Sequence, residues 1–282
     1  MENRNTADLL KALGFRFNKA LGQNFIFDTN LLDAVVADSG VSADDTVVEI
    51  GTGAGTLTAR IADKCRKVFS FEVDEKLKPV LSLSLQGIDN VEVVFRDVLK
   101  MSDDAFRALV GDGKFKVIAN LPYYVTTPLI MRFIESGLDV ESLTVMVQKE
   151  VADRICAAPA TEDYSALTLA VEVFGTATLT RKVSRTVFRP SPNVDSAVVR
   201  IERERNKLQA KDIRLVKRLI RAAFAMRRKT LANNLQSAFG MPKDEATALI
   251  CEAGFAPTVR GEVLSLDDFV KLSVLMKQKR GD

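Results

Sequence analysis

The 282-residue chain has no histidine and only three cysteines. Without an imidazole there is no Ser-His-Asp or Cys-His nucleophile system, no histidine general base and no histidine-ligated metal. Cys65, Cys156 and Cys251 lie far apart and form no CxxC pair. That argues against a disulfide framework or a zinc site and for a reducing compartment. Long apolar runs are also missing: no stretch approaches 18 uninterrupted apolar residues, and MENRNTADLL lacks the basic-then-apolar order of a signal peptide. The expectation is a soluble cytoplasmic protein, monomeric, with no membrane contact and no metal. Its chemistry must need little proton shuttling.

What is present is apolar sequence, 47% of the chain, enough for a large domain plus a small one. Charge is spread unevenly. Residues 205–282 hold 16 Lys or Arg against 8 Asp or Glu, whereas the first 204 hold 24 against 29. A basic module of under 80 residues points to a polyanionic partner.

In the first two hundred residues short β-branched runs alternate with helical patterns. TVVEIG (46–51), KVFSFEVD (67–74), VEVVFRD (91–97), KVIANLP (116–122) and LTVMVQK (143–149) read as buried strands, with helices over about 56–64, 75–85, 103–110 and 127–136 between them. This rhythm predicts an α/β fold, a mostly parallel sheet with helices on both faces. ALTLAVEVFGTATLTRKV (166–183) and SAVVRIER (196–203) read as further strands, too close together for a helical crossover, and predict an antiparallel edge. Past ERERNK (202–207) the strand pattern stops, and 211–226, 243–253 and 266–277 read as helices. The expected division is 1–204 and 205–282, the second part all-α.

VEIGTGAGTLT (48–58) ends the first strand and opens a helix, placing Gly51, Gly53 and Gly55 on the turn, where a Cβ would block a ligand's approach to the backbone. A glycine-rich turn alone is equally a tight structural turn. Glu72 ends the second strand, 21 residues after Gly51, and can accept from ribose hydroxyls; Asp97 ends the third and can accept from an adenine amine. Three such features on successive strand ends favour an adenosyl cofactor. The pattern resembles the class I Rossmann-like methyltransferases that use S-adenosyl-L-methionine, a chemistry that suits a chain without histidine because the sulfonium leaves as a neutral thioether.

NLPYY (120–124) closes the fourth strand. The Asn120 side-chain oxygen and the Leu121 carbonyl could hold the hydrogens of an adenine amine and aim its lone pair. Pro122 stiffens the turn, and Tyr123 offers a face on which an extruded base stacks. In isolation the tetrapeptide reads as a turn. KALGQNF (19–25), VEIGTGAG (48–55), FEVDEKL (71–77), RDVL (96–99), NLPYY, TPLIMRF (127–133), QKEVADRI (148–155), FRPSPNVDSAVV (188–199) and RRKTLANNL (227–235) follow one another in an order that spans nearly the whole chain. With them the chain resembles the ribosomal RNA adenine dimethyltransferase family, its bacterial small-subunit branch above all.

The resemblance implies dimethylation of two adjacent adenines in the terminal hairpin of small-subunit (16S) rRNA, with the small ribosomal subunit as partner. It implies that Asn24 and Ile26 contact the cofactor, that Gly51 lies beneath it, with Gly53 and Gly55 of the same turn counted as cofactor-binding from the glycine spacing, and that Glu72 holds the ribose and Asp97 the adenine. Asn120 would face both the cofactor and the target amine, and Phe188 would wall the base opposite Tyr123. Tyr124 receives no role.

Between Arg205 and Lys229 stand ten Lys or Arg and one acid. On a helix from about 211 to 229, Arg214, Lys217, Arg218, Arg221 and Arg228 form a stripe, extended by Arg227 and Lys229, that predicts phosphate contact. Arg16 and Lys19 extend the basic surface beside GQNF. Rival readings are the large-subunit, macrolide-resistance type of rRNA methyltransferase, a non-catalytic RNA-binding assembly or transcription factor on the same fold, and a DNA adenine methyltransferase.

Overall fold

In the computed structural model the described residues are 6–18, 21–205, 210–226 and 228–280. Their strands are β1 (Phe25–Ile26), β2 (Thr46–Ile50), β3 (Lys67–Glu72), β4 (Val91–Phe95), β5 (Phe115–Asn120), β6 (Val140–Gln148), β7 (Gly175–Val183), β8 (Phe188–Arg189) and β9 (Ser196–Arg203). β2, β3 and β5 are buried along nearly their whole length, because a parallel sheet covered on both faces leaves no solvent side for polar residues. Seven strands form one sheet in the order β4-β3-β2-β5-β6-β9-β7, and β1 pairs with β8 in a separate two-stranded ribbon. The pairs from β4 to β6 are parallel, and β9 joins β6 antiparallel.

The chain runs outward from β2 through β3 to β4, then returns to lay β5 on the other side of β2. That reversal opens a crevice at the carboxyl ends of β2 and β5, the place where open α/β sheets bind ligands. One sheet face is closed by stacked and edge-on rings of Phe71, Phe106, Phe115 and Phe133. The other carries Val47, Val68, Ile118 and Val198, packed with Ile61 of the helix Thr56–Ala62 and with the helix Thr29–Asp38, whose Asp28 cap accepts the Leu31 amide at 3.1 Å.

The contacts divide the chain into Met1–Ala152 with Thr178–Arg203, and Asp153–Ala177 with Glu204–Asp282. The second unit thus takes in a segment from the middle of the sequence that a single cut at 205 leaves out. Its core joins Tyr164 and Leu169 to Leu219, Leu235, Leu249 and Phe269, and the Tyr164 hydroxyl donates to the Leu264 carbonyl at 2.8 Å.

Part of that segment corrects the strand expected over 166–183. Residues Ala166–Phe174 are helical, and only Gly175–Val183 is extended. The alternation of Leu167, Leu169, Val171 and Val173 imitates a strand, but Ser165 and Thr168 form a reciprocal capping box that starts a helix. Helices packed around the segment make an apolar helix stable there, so tertiary context overrides the period-2 pattern.

Candidate active site

A cavity of about 530 Å³ opens at the carboxyl ends of β2, β3, β4 and β5, lined among the described residues by members of 21–129. Its volume lies in the range that holds a nucleoside-sized ligand. Asn24, Gly51, Gly53, Glu72, Asp97, Asn120, Leu121, Pro122 and Tyr123 all line it. Ile26, Gly55 and Phe188 do not.

The glycine turn explains part of this split. Gly51, at φ +83°, has open space where its Cβ would stand, the nearest atom being the Asn120 carbonyl oxygen at 3.7 Å, so a side chain there would project into room a ligand can use. Gly53, at φ +55°, lies against the Phe25 ring, 3.2 Å from an added Cβ. Gly55 is the N-cap of the helix Thr56–Ala62 at φ +82°, and an added Cβ would come within 2.9 Å of Ser84 Oγ. Its glycine therefore serves packing, not the cavity. Ile26 and Phe188 face one another across the β1–β8 ribbon and are both buried in the core with Leu32 and Val183. The Phe188 ring is fully covered, so it offers no stacking face opposite Tyr123; strand pairing turned this aromatic inward.

Glu72, the last residue of β3, holds the turn in place. Its Oε2 accepts the Gly53 amide at 2.9 Å, and its Oε1 accepts those of Val73 and Asp74 at 2.8 and 2.9 Å. Burial pushes its carboxyl above the usual range, against these three donors. Oε1 is saturated, whereas Oε2 keeps an acceptor position free for a ligand hydroxyl. Asp97 caps the turn Val98–Lys100, accepting the Leu99 amide at 3.0 Å, and Lys100 stands 3.5 Å from its other oxygen.

On the other side of the crevice, Asn120 Nδ2 donates to the Asn24 carbonyl at 3.0 Å. That bond fixes the carboxamide and leaves Oδ1 without a described partner. The Leu121 amide donates to the Met146 carbonyl at 3.1 Å, and the Pro122 carbonyl accepts from Val125 N and Thr126 Oγ1, each at 3.1 Å, so the turn is tied to β6 and to the following helix. The Tyr123 hydroxyl and the buried Ser196 hydroxyl share a hydrogen bond of 2.8 Å, and burial raises the phenol's pKa.

Sequence reasoning missed several residues of the wall. Gln23 clasps the N-terminal segment to the β3 end, its Nε2 donating to Asp74 at 2.7 Å and its Oε1 accepting the Asn18 amide at 2.7 Å. Phe25 lines the cavity within a cluster formed with Phe15 and Phe17; the close spacing of three phenylalanines around GQNF was the available signal. Tyr124 also lines the cavity and is exposed.

In the second unit the basic helix is Ala210–Ala225, shorter than the span to 229. Asn234 ends it: buried, its Nδ2 donates to the Ala223 carbonyl at 2.8 Å and to that of Met226 at 3.4 Å, taking over acceptors that a longer helix would use itself. Arg214, Arg218 and Arg221 are exposed on the helix and Lys217 is half-buried, while Arg228 and Lys229 are exposed in the turn beyond it. Arg218 lies 4.3 Å from the Phe239 ring centre and donates to the Ala238 carbonyl at 3.1 Å. Arg227 and Lys19 lie outside the described residues. No helix among the described residues is long and apolar enough to cross a membrane. No group of three or more Cys, Asp or Glu among them could hold a metal ion.

Known proteins are similar to this chain over most of its length. The ribosomal RNA small subunit methyltransferase A of Enterococcus faecalis is 43% identical, covering 98% of this chain and 95% of its own. The protein of the same description from Geobacillus thermodenitrificans is also 43% identical, over 95% and 94%. Among solved structures, a dimethyladenosine transferase from Plasmodium falciparum superposes with a TM-score of 0.77 at 26% identity, covering 91% of this chain and 98% of its own. The 23S rRNA methyltransferase ErmE gives 0.70 at 25%, over 90% and 100%. The fold is thus the Rossmann-like methyltransferase fold with a helical C-terminal region. The model of the ribosomal RNA adenine dimethylase family matches residues 14–277, and the chain belongs to that family of rRNA adenine dimethyltransferases.

Proposed function

We propose that the chain uses S-adenosyl-L-methionine to dimethylate the exocyclic amines of two adjacent adenines in the terminal hairpin of small-subunit rRNA, acting on the small ribosomal subunit in the cytoplasm. When bound, that cofactor supplies an electrophilic methyl group on a positively charged sulfur. Gly51 would let it lie against the backbone. Glu72 Oε2 would accept from its ribose, and Asp97 from its adenine.

The observation that carries the reading is the fixed Asn120 carboxamide. With Nδ2 held by the Asn24 carbonyl, Oδ1 is left to accept a hydrogen from the target amine. An acceptor on that hydrogen localises the nitrogen lone pair, which in free adenine is delocalised into the ring, and directs it out of the ring plane. In the second transfer the amine keeps one hydrogen, so a single rigid acceptor still works where a two-hydrogen clamp would not. The methylated nitrogen is strongly acidic until it loses its proton, and water suffices as the acceptor, in keeping with a chain without histidine. Tyr123, anchored through Ser196, would present its ring to the extruded base.

The large-subunit alternative is supported by the likeness to ErmE at 25% identity, and is outweighed by two small-subunit relatives at 43% over almost the whole chain. Incubating undermethylated small subunits with labelled cofactor tests the proposal. Wild type should label the adenine pair, and Asn120→Ala should lose transfer by about two orders of magnitude, the scale of one positioned transition-state hydrogen bond, while still binding the subunit. Equal turnover would remove Asn120 from the chemistry, and labelling of large-subunit RNA alone would overturn the substrate assignment.

A further inference from the structure

Tyr124 is an aromatic at the cavity that the mechanism above leaves unused. Tyr123 and Tyr124 are consecutive in the 3-10 turn Tyr123–Val125. In such a turn side chains step round by about 120° per residue, so the two rings cannot face the same base. Their surroundings differ accordingly. Tyr123 is half-buried and tied to Ser196, whereas Tyr124 is 58% exposed and forms no hydrogen bond with any described residue. Yet it is no stray surface residue, because it lines the cavity. One side of its ring rests on Gly22, where an added Cβ would stand 3.3 Å from Cδ1, so the ring has a backbone support and an open remainder.

Resting on the function proposed above, we propose that Tyr124 is a specificity-determining residue that stacks the nucleotide adjoining the target adenine. When one adenine of a pair enters the cavity, it leaves its stack, and its neighbour loses a stacking partner at the same moment. An aromatic ring at the rim replaces that partner, and every base has a face with which to use it. With Phe188 withdrawn into the core, Tyr123 and Tyr124 divide the work: one ring for the base inside, one for the base beside it. The enzyme would then favour a purine pair over a lone adenine.

The test compares wild type, Tyr124→Ala and Tyr124→Phe on undermethylated small subunits, and on subunits carrying uridine, a weakly stacking base, in place of one adenine of the pair. Tyr124→Ala should raise the KM for subunits roughly 5- to 150-fold, the range of one lost base–aromatic stack, with the KM for S-adenosylmethionine unchanged. Tyr124→Phe should behave as wild type, since the ring and not the hydroxyl does the stacking. On uridine-substituted subunits the penalty of Tyr124→Ala should shrink. The inference is overturned if Tyr124→Ala matches wild type, if the loss falls on the cofactor KM, if Tyr124→Phe fails as badly, or if the uridine subunits show the full penalty. Should wild type itself leave the adenine pair unmodified, the proposed function falls, and this inference with it; a wild type that methylates beside an unimpaired Tyr124→Ala defeats the stacking role alone.

Discussion

Glu49 concentrates the conflict between burial and charge in a single residue. It is the penultimate residue of β2, fully buried, with Oε2 accepting the Ser70 and Thr58 hydroxyls at 2.5 and 2.6 Å and Oε1 without a partner among the described residues. Ser70 shares a further hydrogen bond of 2.6 Å with Thr52, which ties the glycine turn into this chain of hydroxyls. Burial dominates the titration and, with the Glu72 charge adding to it, pushes the carboxyl from 4.5 to about 8 against the two hydroxyl donors. The folded protein therefore holds the proton through neutral pH, whereas the unfolded chain releases it near 4.5. With the folded value raised, the associated stability is complete below the unfolded value and is lost as pH climbs from there to about 8, by about 1.4 kcal/mol per pH unit. Glu49→Gln keeps the shape and the acceptor oxygen but cannot ionise. Its melting temperature should equal that of wild type at pH 4 and exceed it increasingly towards pH 8, with no further gain above. Parallel melting curves for the two proteins across that range would mean that Glu49 is already ionised in the fold.

At the scale of elements, the turn after β2 separates glycines that look alike in VEIGTGAG. Gly51→Ala puts a methyl group into the cavity at φ +83° and should abolish cofactor binding in calorimetry, with a stability loss of about 1 kcal/mol from the left-handed backbone. Gly55→Ala meets Ser84 and Leu85 and should cost about 1–3 kcal/mol in denaturant melts, while the folded fraction still binds cofactor. A Gly55→Ala protein as stable as wild type but unable to bind would reverse this assignment. The turn, its acids and the five parallel strands were legible in the sequence because each rests on local composition: β-branched runs, a glycine cluster, a carboxylate at a strand end. Phe188 and the helix Ala166–Phe174 were not, since the direction of a ring and the choice between two periods that bury the same residues are settled by what packs against them. The end of the basic helix was hidden for a similar reason. Asn234, which terminates it, sits nine residues beyond Ala225 and acts through a buried side-chain amide. Asn234→Leu should therefore destabilise the protein by roughly 1–3 kcal/mol in thermal melts, because it removes a core hydrogen bond to the Ala223 carbonyl.

For the whole molecule, the uneven charge separates two kinds of binding. The described lining of the cavity falls within residues 21–129, whereas the excess of Lys and Arg lies after residue 204. Cofactor affinity should therefore depend weakly on salt and subunit affinity strongly, since each neutralised phosphate releases counterions and contributes about 0.7–0.9 to the slope of log K against log salt. The arginines of Ala210–Ala225 are not equivalent in this respect. Arg218 is held over Phe239 and by the Ala238 carbonyl, so reaching a phosphate means giving up a cation–π contact and a hydrogen bond. Arg214 is exposed on the same helix with no such tether among the described residues. Arg214→Gln should lower the salt slope of subunit binding by a full contact, and Arg218→Gln by less, with part of its effect appearing as lost stability where Phe239 is uncovered. Titrations at several salt concentrations read both numbers. Equal slopes for all three proteins would place the phosphate contacts elsewhere, and a larger drop for Arg218→Gln than for Arg214→Gln would mean that the Phe239 ring holds the guanidinium ready for phosphate.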